Sequence, residues 1–438
     1  MAGPDQFPST EDRRGAFRLL FFALMAIGAG NTMLIAAVLP LLVRKLEFPP
    51  WTAGAIFSLS AFAWVVFSQY WGRKSNDWGR RPVAALGMAG FAMSMLLFGL
   101  SGAIGLLGLI TFWPVLFLML LSSRSLFGIF GSGANPAAQA YVADRTSKSN
   151  RTEEIAALTS GFTFGTVMGP TLAGFLIEHV GLLAPVFVIS AVAAGLGLCI
   201  WFFLPERREP NIKKVESSEE KGLWRHPGVQ PYLIYGIGLS LVSGILIQTF
   251  PWFMLDRLTE TGYLPEPSPE RENPGAQELS IVMTLGAAAT LVAQLALIPR
   301  LKLSPRSLMV SGAILIASGA VLVMTQPSLA VFGMSQMLMG IGQGFSRPGF
   351  TSGASLAVGT SVQGNVAGLV TAANGTGFVV SPIFGLLAYD IIHPLAPFIF
   401  AAIVLGLMGV YAYFNGASRI LPDDDDDTPS PSEGAPKA

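Results

Sequence analysis

Gly72-Arg73-Lys74-Ser75-Asn76-Asp77-Trp78-Gly79-Arg80-Arg81-Pro82 is the stretch that decides how this chain is read. It lies between two apolar runs, 52–71 and 82–103, and reads as a tight basic turn joining two helices. Gly72 and Gly79 permit close backbone approach or a positive φ, and Pro82 suits a helix start. A plain anchor on the positive side of a membrane accounts for the charges but not for the spaced glycines.

Outward from this turn the chain keeps the same character. Of its 438 residues 52% are hydrophobic and 12% charged, whereas a soluble protein is about a quarter charged. Apolar segments lie at 16–43, 52–71, 82–103, 112–140, 154–178, 181–204, 231–254, 279–298, 308–325, 329–352, 364–388 and 394–414. At roughly 20 residues per crossing, these predict an all-α membrane protein with twelve transmembrane helices. No small-residue cleavage site follows the first run, so it reads as a retained span rather than a signal peptide. With both termini inside, 21 of the 27 Lys and Arg residues fall on the cytoplasmic side, four outside and two within spans. The positive-inside rule therefore places both ends in the cytoplasm. Equal numbers of acidic and basic residues (27 each) give no net field for nucleic acid. Cys199 alone excludes an internal disulfide, and three histidines (His179, His226, His393) leave little for metal chemistry, so no metal and no cofactor are expected.

Five regions follow: a polar N-tail (1–15), a six-helix bundle (16–204), a charged cytoplasmic linker (205–230), a second six-helix bundle (231–415), and an acidic tail (416–438) whose Asp423–Asp427 run predicts disorder. The outer segment 255–277, rich in Pro and Glu, is expected to have little regular structure. The bundles are related by an internal repeat. At an offset of 212, Gly128 meets Gly340, Pro136 meets Pro348 and Gly165 meets Gly377; at 225, Gln69 meets Gln294 and Gly87 meets Gly312. Two related halves with a site between them is a transporter plan.

The fourth span carries Arg124, then Gly128, Gly131 and Asn135 at helical spacing, and ends Ala140-Tyr141-Val142-Ala143-Asp144. An arginine at mid-span costs about 2.5–3.5 kcal/mol on insertion scales, so it is a functional candidate by default. Its alternative role is a structural pin bonded to carbonyls. Repeat-related Gln336, Gly340, Gln343 and Arg347 form a second stripe, with Arg347 read as snorkelling to the interface. The fifth span carries Gly161, Gly165, Gly169, Pro170 and Gly174, a groove for close helix packing.

Gly72, Gly79, Arg80 and Arg81 fall on the pattern G-x-x-x-D-R-x-G-R-R/K, and here the chain resembles the major facilitator superfamily. Asn76 stands at that pattern's Asp position and Asp77 at its Arg position. The run from Gly161 to Gly174 resembles the superfamily's antiporter motif, with Ala173 replacing a glycine, and Arg124-x-x-x-Gly128 resembles the matching helix of its drug efflux members. The resemblance points to the twelve-helix drug/proton antiporter branch, which includes tetracycline exporters. It implies that Gly72, Asn76, Asp77, Gly79, Arg80 and Arg81 form a gating loop, that protons are the partner ion, and that the location is a bacterial inner membrane. A monomer in the lipid bilayer is expected.

Asn31, Arg124, Asn135, Gln139, Gln248, Gln336, Gln343 and Asn374 are the polar residues available to a substrate cavity, with Trp64, Phe250 and Trp252 as apolar lining. Interhelical hydrogen bonding is the competing role for each. A cavity with few polar groups suits a lipophilic small molecule. All acidic residues lie at or beyond helix ends. Coupling then falls to Asp77, Asp144, Glu178 or Asp256 at a gate, to the charge of the substrate, or to no ion at all in a uniporter. The leading function is proton-coupled efflux of lipophilic or amphiphilic molecules. The alternative is a carrier of an anionic metabolite that uses Arg124 as counter-charge. No paired carboxylate, metal cluster or phosphate-binding glycine loop supports an enzyme or an ATP-driven pump.

Overall fold

The computed structural model describes residues 10–146, 151–206, 223–265, 272–358 and 363–415. Within them lie twelve long helices: α1 (Arg14–Lys45), α2 (Trp51–Trp78), α3 (Arg80–Leu106), α4 (Trp113–Ala143), α5 (Ala157–His179), α6 (Ala184–Phe203), α7 (Gln230–Glu260), α8 (Ala276–Leu301), α9 (Pro305–Leu322), α10 (Leu329–Leu356), α11 (Gly368–Ile392) and α12 (Ala396–Asn415). Eleven are long and apolar enough to cross a bilayer. The twelfth, α10, is as long but carries Gln336, Gln343, Ser346 and Arg347 among its glycines. Helices are what a bilayer demands, because they satisfy every backbone polar group internally. Phe202, Phe203, Leu295 and Phe384 are exposed on an oily outer surface.

Helix ends extend past the apolar windows. Helix already runs from Thr10, reaches Glu260 in what the sequence suggested was an irregular outer segment, and resumes at Ala276. Polar residues beyond the hydrocarbon continue the hydrogen-bond ladder where hydropathy has ended, so composition underestimates helix length. The linker beyond Glu206, up to residue 222, and the tail 416–438 lie outside the described residues.

Each half repeats one packing scheme. In the first, α1 lies on α5, α2 on α4, and α3 on α4 and α6; in the second, α7 lies on α11, α8 on α10, and α9 on α10 and α12. Glycines make these contacts possible. A Cβ at Gly161 would sit 2.5 Å from the Phe21 carbonyl oxygen, and one at Gly165 would collide with the Met25 carbonyl. Repeat-related positions occupy matching contacts. Gly128 faces the Ser60 carbonyl of α2 as Gly340 faces the Gly286 carbonyl of α8, and Gly87 faces Ala134 as Gly312 faces Ser346. The duplicated sequence is thus a duplicated architecture.

The halves meet along α2 with α11 and α5 with α8. There Gly54 packs on the backbone of Pro382 and Ile383, and Gly174 packs on Ser280. Gly165→Leu should lower stability by about 3 kcal/mol through overpacking, read as loss of the monodisperse peak in detergent. Gly195→Leu, where no atom lies within 4 Å of an added Cβ, should leave that peak intact. Equal behaviour of the two variants would contradict the close-packed α1–α5 seam.

Candidate functional site

Arg124 sits 11 residues into α4, about 16 Å along the helix and so near mid-membrane. Its side chain is 1% exposed. Nη2 donates to Asn31 Oδ1 on α1, and the guanidinium lies 4.5 Å from the Phe127 ring centre and 5.4 Å from that of Phe57 on α2. Among the described residues no carboxylate pairs with it, and its Nε and Nη1 have no hydrogen-bond partner. Ring faces supply part of the missing counter-charge. The backbone beneath is fixed as well, since Ser60 Oγ donates to the Arg124 carbonyl at 3.1 Å.

The other polar residues form separate groups. Gln139 donates to Asn135 at 3.0 Å within α4. A 3-10 turn at Gly131–Gly133 lies between Arg124 and Asn135, which breaks the single helical stripe that the spacing suggested. In the second half Gln343 donates to Ser243 of α7 at 2.6 Å, and Gln336 packs against Gly286 of α8. Gln248 is buried at 3%, and the Oδ1 of half-buried Asn374 has no partner among the described residues. Asn31 and Arg124 are therefore brought together, while the stripe on α10 makes its contacts within its own half. Phe250 and Trp252 are core residues at 0% and 2% exposure. Arg347 leans over the Phe378 ring of α11 at 5.8 Å, and α10 continues to Leu356 beyond it, so it packs between helices rather than ending one.

The basic turn is shorter than its sequence implied. Helix α2 runs through Asn76 and Asp77 to Trp78, and Gly79, at φ 103°, is the one residue between α2 and α3. Gly72 is helical, with room for a Cβ 3.8 Å from Pro136. Asn76 and Asp77 are exposed. Arg80 makes the contacts instead: Nε donates to Asp144 at 2.9 Å and Nη1 to Ser75 Oγ at 2.6 Å. The backbone N–H groups of Arg80 and Arg81 donate to the two Glu206 carboxylate oxygens at 3.1 and 2.6 Å. Glu206 thereby caps the α3 N-terminus, where a helix favours negative charge. Tyr141 and Arg145 each donate to the Pro205 carbonyl at 3.1 Å, fastening the end of α6 to the end of α4. All these bonds stay within the first half.

At the opposite, far end the bonds cross between halves. Arg44 at the end of α1 pairs with Asp256 of α7 and Lys45 with Glu272 at 2.8 Å; deeper in, about 12 Å from the ends of α5 and α8, the hydroxyls of Thr171 and Thr284 lie 2.8 Å apart. Ser58 Oγ accepts from the Ile383 N–H at 3.3 Å.

The family model described as Major Facilitator Superfamily matches residues 20–265 and 267–438. The chain belongs to the major facilitator superfamily. Multidrug resistance protein 2 of Bacillus subtilis (strain 168) is 24% identical over 400 residues, covering 88% of this chain and 90% of that protein. The class B tetracycline resistance protein of Escherichia coli is 31% identical over 193 residues, 43% of this chain and 44% of its own. Among solved structures, a bacterial homolog to the human lysosomal transporter Spinster, inward-facing and unoccupied, matches with a TM-score of 0.70 at 13% identity, covering 94% of this chain and 98% of that one. These similar proteins are transporters, not enzymes, and the chain is a multi-pass membrane transporter of the superfamily.

Within this superfamily member the sequence reading missed Glu206, Arg145, Arg44 and Tyr389 as contact-forming residues. In sequence Glu206 is only the start of the charged linker, and a carboxylate just past a helix carries no mark of the N-terminus it caps 125 residues away. Asn31→Leu should lower stability by about 2 kcal/mol, because a buried guanidinium loses its hydrogen-bond acceptor. The readout is the midpoint of thermal unfolding in nanodiscs; an unchanged midpoint would mean that the Asn31–Arg124 bond contributes nothing.

Proposed function

We propose that this transporter exports lipophilic or amphiphilic small molecules from a bacterium by alternating access, in exchange for protons. The observation that carries this reading is the contrast between the two kinds of helix contact. Within each half, glycine seams lock helices backbone to backbone. Between halves the glycine contacts are fewer, Gly54 on the Pro382–Ile383 backbone and Gly174 on Ser280, and charged and hydroxyl side chains supply the hydrogen bonds. Such an arrangement suits two rigid bundles rocking about a site at mid-membrane depth. The Lys and Arg distribution supports cytoplasmic termini in the inner membrane, which makes the far end external and this conformation the one closed to the outside. The relation to the multidrug and tetracycline resistance proteins supports the substrate class.

A second reading is favoured by the Nε and Nη1 atoms of Arg124, which lack partners. A carboxylate or phosphate on a substrate would supply an acceptor that this guanidinium lacks. It predicts a carrier of anionic metabolites.

Everted membrane vesicles separate the two. On the first reading, respiration-driven uptake of a cationic dye appears only with the transporter present and vanishes when the pH and voltage gradients are both collapsed. Uptake that survives the collapse would remove proton coupling. On the second, vesicles show counterflow of labelled organic acids that Arg124→Gln abolishes and dyes do not inhibit.

A further inference from the structure

We propose that Arg44, Asp256 and Tyr389 form the latch that holds the far-side gate shut, with Asp256 as its hub. The inference rests on the reading of two rocking halves and goes beyond it by assigning the group that sets their balance.

Three helices meet at this carboxylate. Oδ1 accepts from Arg44 Nη2 of α1, and Oδ2 accepts from the Tyr389 hydroxyl of α11. Arg44 is held on α7 twice more: it donates to the Trp252 carbonyl at 3.0 Å and lies over the Trp252 ring at 5.4 Å. One arginine from the first half is thus gripped by a carboxylate, a carbonyl and an aromatic face from the second. The arginine side chain is 27% exposed and that of Asp256 42%, whereas Glu272 in the neighbouring cross-half pair is 74% exposed. A carboxylate shared between a guanidinium and a phenol is worth more than a single ion pair on an open rim.

The surroundings allow the latch to open. Asp256 and Tyr389 line a cavity of about 210 Å³ together with Phe253, Arg257, Glu260 and His393. Arg257 is occupied by Glu260 at 2.8 Å, so the competing cation beside Asp256 has its own partner. Tyr389 belongs to a π turn, Ala388–Ile392, and α1 carries another, Leu34–Val38, between Asn31 and Arg44. Such turns interrupt the regular ladder and recur at functional positions. Arg44 lies 13 residues beyond Asn31 on the same helix, about 20 Å along it. A displacement of α1 at the Arg124 contact therefore reaches the latch through a single element.

Release of the latch is read at a different cross-half contact. Thr171→Cys and Thr284→Cys in a Cys199→Ser background place two thiols at the α5–α8 seam, where the native hydroxyls are 2.8 Å apart. Oxidative cross-linking in vesicles should be rapid in this background and fall about threefold with Asp256→Asn or Arg44→Gln. The exchange Arg44→Asp with Asp256→Arg should restore it only in part, because an aspartate at 44 can use neither the Trp252 carbonyl nor its ring face. Tyr389→Phe, which removes one hydroxyl, should give a smaller fall and serves if a charge variant does not fold. Cross-linking unchanged by Asp256→Asn in a monodisperse protein overturns the latch. Transport is measured separately on the unaltered chain. Its failure there would count against the export reading and leave the cross-linking result to stand or fall by itself.

Discussion

Backbone-to-backbone approach at glycine is the constraint on which this molecule depends. Lipid tails are as apolar as leucine, so helices in a bilayer gain little from hiding oily surface and associate through close packing. Gly161, Gly165 and Gly169 remove the side chains that would hold α5 away from α1, and Gly377 and Gly385 perform the same service for α11 against α7. Adding a single Cβ at Gly165 or Gly377 puts atoms in collision with backbone, which cannot swing aside. Each half is therefore stiff. Between the halves Gly54 also packs on the Pro382–Ile383 backbone, but the hydrogen bonds come from the side chains of Arg44, Lys45, Thr171 and Ser58, which rotamer changes can undo.

Arg124 occupies the stiff part. Held by Asn31 and two phenyl rings, with Ser60 on its carbonyl, it ties α1, α2 and α4 together at mid-membrane depth. A charge in that position is expensive, and ring faces with one amide oxygen compensate only part of the cost. The unpartnered Nε and Nη1 are the residue of that imbalance. They make Arg124 at once a structural pin and the group on this side of the molecule with the strongest unmet demand for an acceptor.

The sequence carried the architecture well where glycine was the signal. The 212-residue and 225-residue offsets found Gly128 with Gly340 and Gly87 with Gly312, and these pairs occupy equivalent helix contacts. The turn motif was legible as chemistry but not as geometry: Gly79 has the positive φ, whereas Gly72, Asn76 and Asp77 are helical. Hydropathy ends where lipid ends, and the hydrogen-bond ladder does not. Partners distant along the chain stayed hidden for another reason. Arg44 and Asp256 both looked like ordinary charges at helix ends, and only the packing of α1 against α7 sets them face to face. The polar residues of α10 shared a stripe with Arg124 by repeat alone, yet Gln343 turns to Ser243 in its own half.

The proposed rocking of two halves fixes how distances across the molecule change. Spin labels at Arg73 and Arg300, exposed at the turn end of opposite halves, report one side; labels at Lys45 and Glu272 report the other. Pulsed dipolar spectroscopy in nanodiscs, across a substrate and pH series, should find the two distances changing in opposite directions, while a pair within one half stays constant. Turn-end and far-end distances that remain fixed together, or a within-half pair that moves as much as they do, would contradict the account.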